Sequence, residues 1–468
     1  MKLPERGRPA DEVFATLEAY AGGDFPYESG RAFSHVFEPD PAVSALARRA
    51  YLRFLTPNAL NPAAFPSALR LEREIVQMMA AHLGGGPETV GNFTSGGTES
   101  IMLAVKAARD RFLGTAGRRP GRVAEMVLPD TAHPAFHKAA AYLGVRAVVV
   151  PVDPGTFLAD VGAMAAAVGE DTALLVGSAP SYPHGVIDPI EALGVLALER
   201  DVWLHVDACM GGLMLPYFRR AGGTVAPFDL SVPGVTTLSV DLHKYGMCPK
   251  GASLVLHADR AHRAHQLFAY TAWPGYALLN TTVQSSRSLG PMAAAWAVMN
   301  AMGDSGYEGL ARALMETTRR LVDGVRAIDG LAVAGEPDFT LLTFYPRAGG
   351  GGYRLADALG RRGWLVQPQP AWDGLPANVH LCVLPGNVGH EGAFLADLAA
   401  AWEEVRTATV PIAGSGNAAV DLAGLMSGLG VSPDRLPDEM APINELLETM
   451  PPELRTDLLR RFVNLLYG

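Results

Sequence analysis

Apolar positions along this chain follow two periods, and the places where one gives way to the other predict its architecture. Near the N-terminus the spacing is helical over 42–55 and again over Leu71–Leu83, where Leu71, Ile75, Met79 and Leu83 form one stripe. A proline- and asparagine-punctuated loop to Pro66 separates the two. From there to about residue 257, short β-branched runs stand at 123–129, 146–152, 172–177, 202–207, 235–240 and 252–256. Alanine-rich helical stretches at 134–143, 160–168 and 190–200 lie between several of them. Such alternation predicts right-handed crossovers and a mainly parallel sheet with helices on both faces. A long, broken helix is expected over 291–328. Strands follow at Leu331–Val333, Leu341–Tyr345, Trp364–Gln367 and Val379–Val383, with a helix near 390–406. The expected fold class is therefore α/β with a smaller α+β C-terminal domain. The expected divisions are an N-terminal arm over 1–70, a large α/β domain over 71–300, a small domain over 301–410 and a helical tail over 411–468.

Composition narrows the class. With 468 residues the chain exceeds what one ordinary core accommodates, and 49% hydrophobic against 18% charged residues is the balance of a packed enzyme. The 48 acidic and 38 basic side chains leave a formal charge of -10, which argues against a nucleic-acid partner. A small anionic ligand needs only a few local donors and stays open. Cys209, Cys248 and Cys382 are too scattered for a disulfide framework or a zinc site, so no metal and a reducing cytoplasmic setting are expected. The first residues carry no apolar signal core, and no apolar run reaches bilayer length, so neither a secretory signal nor a membrane span is expected.

In a parallel sheet ligands gather at the carboxyl ends of the strands. Thr94-Ser95-Gly96-Gly97-Thr98-Glu99-Ser100 precedes an alanine-rich helix, and a Gly-Gly pair with hydroxyls at a helix start makes an anion cradle. It matches neither a Walker loop nor a dinucleotide fingerprint, and alone it reads first as a helix cap with a flexible entry. The apolar strand Val202–Val206 ends in Asp207, which is either a turn former or a carboxylate facing a ligand. Val235–Tyr245 delivers His243-Lys244, where the lysine is either a surface group or an amine able to form an imine. His133 in Asp130-Thr131-Ala132-His133-Pro134 is either a helix-entry residue or a ring that stacks on a flat ligand. Each is ordinary alone. An anion cradle, a carboxylate, a lysine and an imidazole at strand ends together fit pyridoxal 5'-phosphate, whose ring nitrogen needs an acidic partner.

These blocks resemble the fold-type-I pyridoxal-phosphate decarboxylase superfamily and, within it, the sphingosine-1-phosphate lyases. The resemblance spans about residues 28 to 310. It also takes in Asn61-Pro62-Ala63-Ala64-Phe65-Pro66, Ala132-His133-Pro134-Ala135-Phe136, Pro183-His184-Gly185-Val186-Ile187-Asp188-Pro189, His205-Val206-Asp207-Ala208-Cys209 and His243-Lys244-Tyr245-Gly246. It implies a PLP-dependent transferase-like fold with Lys244 as the Schiff-base lysine and Asp207 as the partner of the ring nitrogen. It further implies that His133 stacks on the ring and that Gly97, Thr98 and His243 hold the cofactor phosphate. A homodimer is implied as well, with Ser286 of Ser286-Arg287 reaching the phosphate of the other subunit, and Tyr182 and Lys250 near the substrate. The activity it implies is retro-aldol cleavage of a phosphorylated sphingoid base to an aldehyde and phosphoethanolamine. Decarboxylation of an aromatic or acidic L-amino acid on the same apparatus is the alternative. The chain departs from the lyases at Phe37, where they carry a tyrosine, at Leu242 for a threonine, at Met247 for an aromatic, and at Ser285-Ser286-Arg287-Ser288 for Gly-Ser-Arg-Pro. Phe37, Leu242 and Met247 are thus expected to reshape the substrate pocket.

Overall fold

Val90–Thr94 (β1), Glu125–Pro129 (β2), Arg146–Val150 (β3), Thr172–Ser178 (β4), Trp203–Asp207 (β5), Val235–Val240 (β6) and Ser253–His257 (β7) form one sheet. The computed structural model describes residues 2–114, 121–408, 437 and 439–467. The spatial order is β1-β7-β6-β5-β4-β2-β3; β2 to β6 run parallel and β7 alone is reversed. Strands β2, β4 and β5 are buried along their whole length, as central parallel strands must be when helices cover both faces. Alternate residues feed opposite layers. Val127, Leu175, Leu204 and Val206 join one apolar cluster, while Met126, Leu128, Leu174, Val176 and Trp203 join another with Phe112 and Phe136.

Phe268–Tyr270 (β8) and Leu278–Asn280 (β9) form an isolated hairpin. Helix Gly290–Ala327 follows and breaks at Gly303, whose φ of 56° and ψ of -179° are out of reach of most side chains. Leu331–Val333 (β10), Leu341–Pro346 (β11), Gln367–Gln369 (β12) and Asn378–Cys382 (β13) make the smaller antiparallel sheet, in the order β10-β11-β13-β12. The N-terminal segment belongs to this end of the molecule. Phe33 N donates to Leu365 O at 2.9 Å, and Cys382 N donates to Phe33 O at 2.8 Å. Helix Pro41–Arg53 packs along Gly290–Ala327.

The α/β class with a smaller antiparallel C-terminal region is as expected. The hydrophobic pattern did not announce β1, because Val-Gly-Asn-Phe-Thr carries two apolar residues and a buried Asn92 that Glu72 satisfies. The strand expected over Trp364–Gln367 forms instead at Gln367–Gln369, and Trp364 precedes it as a core residue, with its indole N–H donating to Asp397 at 2.8 Å. Of the expected tail over 411–468, residues 411–436, 438 and 468 lie outside the described residues. Ala441–Glu448 and Pro452–Tyr467 are helices. Among the described residues no helix is long and apolar enough to cross a membrane.

Candidate active site

Six of the seven strands of the large sheet share one direction, so their carboxyl ends share one edge. The residues following β1, β2, β4, β5 and β6 there line a single cavity of about 370 Å3. It takes Ser95–Thr98 from the first, His133 from the second, Tyr182 from the third, Asp207 and Cys209 from the fourth, and Asp241, His243 and Lys244 from the fifth. Seven residues expected at the site from the sequence therefore meet in one place: Gly97, Thr98, His133, Tyr182, Asp207, His243 and Lys244.

The cradle is built on Gly97, the first residue of helix Gly97–Gly114. A Cβ there would lie 2.8 Å from Cys209 Sγ and 2.9 Å from both carboxylate oxygens of Asp241, so only glycine lets the helix start sit this low. Hydroxyls weld it to the sheet: Thr94 Oγ1 and Ser100 Oγ are 2.6 Å apart, and Ser100 Oγ lies 2.9 Å from Ser253 Oγ. Buried Glu99 accepts from Ser95 N at 2.6 Å and from Val283 N at 2.8 Å, tying the cradle to the segment after β9.

Asp207 closes β5. Its Oδ1 accepts from Cys209 N at 3.0 Å and from Ser239 Oγ at 3.2 Å. Lys244 Nζ lies 3.1 Å from Asp241 Oδ2. Burial works against the Lys244 ammonium, but the carboxylates of Asp241 and Asp207 outweigh it and push the amine up. For Asp241 burial acts to raise the carboxyl, and the charges of Lys244 and His243 overcome it and hold the group down. Burial lowers His243 and His133. His133 Nδ1 accepts from Ala135 N at 3.2 Å, which leaves the proton of the neutral ring on Nε2.

Tyr182 donates to Gln367 Oε1 at 2.7 Å, its ring 4.5 Å from that of His380, and burial keeps its phenol protonated. Lys250 is outside the cavity lining: Nζ donates to His243 O at 3.1 Å and sits 4.9 Å over the Phe37 ring. Ser286 is also outside, exposed, accepting from Asn58 Nδ2 at 3.3 Å. Phe37 is half-buried edge-on against Tyr245 at 5.0 Å. Leu242 and Met247 were expected near the substrate, but both are buried in the main apolar cluster and neither lines the cavity. They are packing differences, because the turn after β6 points His243 and Lys244 at the cavity and Leu242 away from it.

Asp241, Ser239, Cys209 and Glu99 escaped the sequence reading. Asp241 had a signal, since a carboxylate three residues before a lysine in a tight turn can reach its amine. Ser239 and Cys209 become visible only once β5 and β6 are paired, and Glu99 only once the segment after β9 is folded back on the helix start. The group expected here fits the residues present. His243 Nδ1 is buried without a hydrogen-bond partner beside a cradle of glycine amides at a helix start, and an imidazole N–H with such amides is a donor set that a phosphate takes.

A profile of the pyridoxal-dependent decarboxylase conserved domain matches residues 53–347, and one for a C-terminal HTH domain of pyridoxal-dependent enzymes matches residues 396–465. The chain is 40% identical over 409 residues to a sphingosine-1-phosphate lyase of Arabidopsis thaliana, covering 86% of this chain and 71% of that one. It is 36% identical to that of Dictyostelium discoideum, covering 85% and 73%. The solved sphingosine-1-phosphate lyase of Burkholderia pseudomallei superposes with a TM-score of 0.82 at 37% identity, over 87% of this chain and 93% of that one.

Proposed function

The chain belongs to the pyridoxal-dependent decarboxylase family, in its sphingosine-1-phosphate lyase branch, and from that premise we propose that it cleaves a phosphorylated sphingoid base between Cα and Cβ. It is a lyase with pyridoxal 5'-phosphate as cofactor. The observation that carries the reading is the convergence of Lys244, Asp207, His133 and the Gly97-Thr98 cradle on one cavity, in a chain whose relatives are lyases.

Lys244 would anchor the cofactor covalently and Asp207 would pair with its ring nitrogen. His133 would lie against the ring, and Gly97, Thr98 and His243 would hold the phosphate. When bound, the cofactor supplies an electron sink for a bond at the carbon bearing the substrate amine. The protein decides which bond that is by orientation. Here Cα–Cβ breaks as the β-hydroxyl loses its proton, Cβ becomes the aldehyde carbon, and Cα takes a proton to leave phosphoethanolamine. Tyr182, held as a phenol against Gln367, would orient substrate rather than accept a proton. Lys250, its ammonium destabilised by burial and by Lys244, would meet the substrate phosphate at the mouth.

A homodimer belongs to the proposal. The hairpin and the segment after it expose Phe268, Tyr270, Trp273, Tyr276, Leu279 and Val283, a patch that favours a protein partner, and it runs on to exposed Ser286. Ser286 is absent from its own chain's cavity lining and would reach the partner's phosphate. A cytoplasmic location is also proposed, supported by three cysteines that are all free.

The test is a product screen with holoenzyme on sphingoid-base phosphates beside aromatic and acidic amino acids. Aldehyde and phosphoethanolamine in equal amounts are expected. Carbon dioxide from an amino acid, with no aldehyde, would transfer the protein to the decarboxylase reading. Borohydride treatment should fix the cofactor on the peptide containing Lys244, and label on any other lysine refutes that assignment.

A further inference from the structure

Behind Asp207, away from the cavity, three side chains continue inward from its Oδ1. Ser239 Oγ is 3.2 Å from Asp207 Oδ1, His205 Nε2 is 3.2 Å from Ser239 Oγ, and Thr237 Oγ1 is 2.8 Å from His205 Nδ1. Ser239, His205 and Thr237 are completely inaccessible to solvent. They come from β5 and β6 at paired positions, His205 opposite Thr237 and Asp207 opposite Ser239. The active-site chemistry described above uses none of the three.

Hydrogen-bond valence fixes the direction of every proton in this chain. As a carboxylate, Asp207 only accepts, so the single Ser239 hydroxyl proton points at it. Ser239 Oγ must then accept from His205, whose proton is therefore on Nε2. Burial pushes this imidazole down to about 4, so the ring is neutral and its Nδ1 accepts from the Thr237 hydroxyl. The Cys209 thiol, kept protonated by burial, donates into the remaining lone pair of Ser239 Oγ at 3.3 Å. The opposite tautomer would turn the Ser239 proton toward Nε2 and leave two lone pairs facing each other at 3.2 Å against Asp207.

We infer that Thr237, His205 and Ser239 are positioning residues, a buried line of donors that fixes the Asp207 carboxylate group in place and turns its other oxygen, Oδ2, toward the cofactor ring nitrogen. Two donors saturate Oδ1, and among the described residues no protein hydrogen bond reaches Oδ2. An anion stabilised in this way, where water cannot substitute, keeps the ring nitrogen protonated and the ring electron-poor. The inference rests on the assignment of Asp207 to that nitrogen.

The experiment uses holoenzyme reconstituted with cofactor carrying 15N in the ring, read by the nitrogen chemical shift, which separates pyridinium from neutral pyridine, and by the cofactor Kd. Ser239→Ala and His205→Leu should move the resonance toward neutral pyridine and raise Kd about tenfold, the size of one hydrogen bond to a charged group. His205→Gln, whose amide N–H can still reach Ser239, should restore most of the wild-type shift. Thr237→Val, isosteric and two bonds further back, should give a smaller displacement of the same sign and serves if a larger change prevents folding. Asp207→Ala is the control. If it moves the resonance and the other variants do not, the donor line is wrong. If it leaves the resonance at the pyridinium position, the assignment of Asp207 itself is wrong.

Discussion

Around Asp207 and Asp241 the cavity wall is made from the ends of adjacent strands, its polar groups buried and several of them locked by two or three partners. At the mouth, Phe37, Tyr182, Lys250 and Gln367 come from four separate segments, and they meet through one hydrogen bond and one ring-cation contact. The wall is an extension of the sheet and inherits its rigidity. The mouth depends on how the N-terminal segment and the small sheet are carried against the large one. Chemistry common to many substrates belongs on the first kind of surface, and selection among substrates on the second.

The largest expected effect is that of acid on the whole fold, to which the wall contributes through His205 behind Asp207. His205, His257 and His184 are pushed down to about 4 by burial, and His380 to about 3, against an ordinary 6.5. Between those values the unfolded chain binds more protons than the folded one, so stability is full above about 6.5 and falls as pH drops toward 4. Asp188 acts in the opposite sense, because burial raises it to about 6 and the fold then holds the extra proton. Four imidazoles against one carboxyl leave a net loss, on the order of 1–3 kcal/mol per imidazole. Urea midpoints measured from pH 7 to pH 4.5 should fall steadily, and His205→Gln should flatten part of that slope. A slope unchanged by the variant would mean that the wall is not where the acid acts.

The difference between the two regions also explains what could be read from the amino-acid sequence. Lys244, Asp207 and His133 were legible because each stands at or just after a β-branched run, and strand ends share an edge whatever the loops do; Gly97 was legible from a different signal, the Gly-Gly pair with hydroxyls at a helix start. Ser239 and Thr237 looked like ordinary polar residues in a half-polar strand. Only the pairing of β6 with β5 puts them beneath Asp207 and His205. Gln367 and Tyr182 are 185 residues apart, and no local pattern links them. Leu242 and Met247 were expected near the substrate because they depart from the lyases beside His243-Lys244, and neighbourhood in sequence does not say which side of a tight turn faces the cavity.

Gly97→Ala is the next prediction and touches the wall at one atom. The added methyl meets Cys209 Sγ and the Asp241 carboxylate at under 3 Å, and neither is a flexible chain end, so the helix start has to lift. Overpacking of this kind costs about 1–3 kcal/mol, and the cradle bears it directly. Cofactor Kd should rise by about tenfold to a hundredfold while circular dichroism stays that of the wild type. Cofactor affinity held within twofold would show that the cradle does not carry the phosphate.

Phe37→Tyr carries the smallest expected effect and addresses the mouth alone. The half-buried ring already lies edge-on to Tyr245 and beneath the Lys250 ammonium, so the hydroxyl would be added to a ring that has a cation within about one side chain's reach. One hydroxyl able to reach a substrate phosphate is worth about 1 kcal/mol, so kcat/KM for a phosphorylated sphingoid base should rise about fivefold. The same variant assayed on an unphosphorylated amine should show no gain, because the new group has no charge to meet there. Cofactor Kd and the visible spectrum should also be unchanged, since Phe37 does not line the wall. A gain that ignores the phosphate, or a shift in cofactor affinity, would mean that mouth and wall are one coupled surface and that the division between them fails.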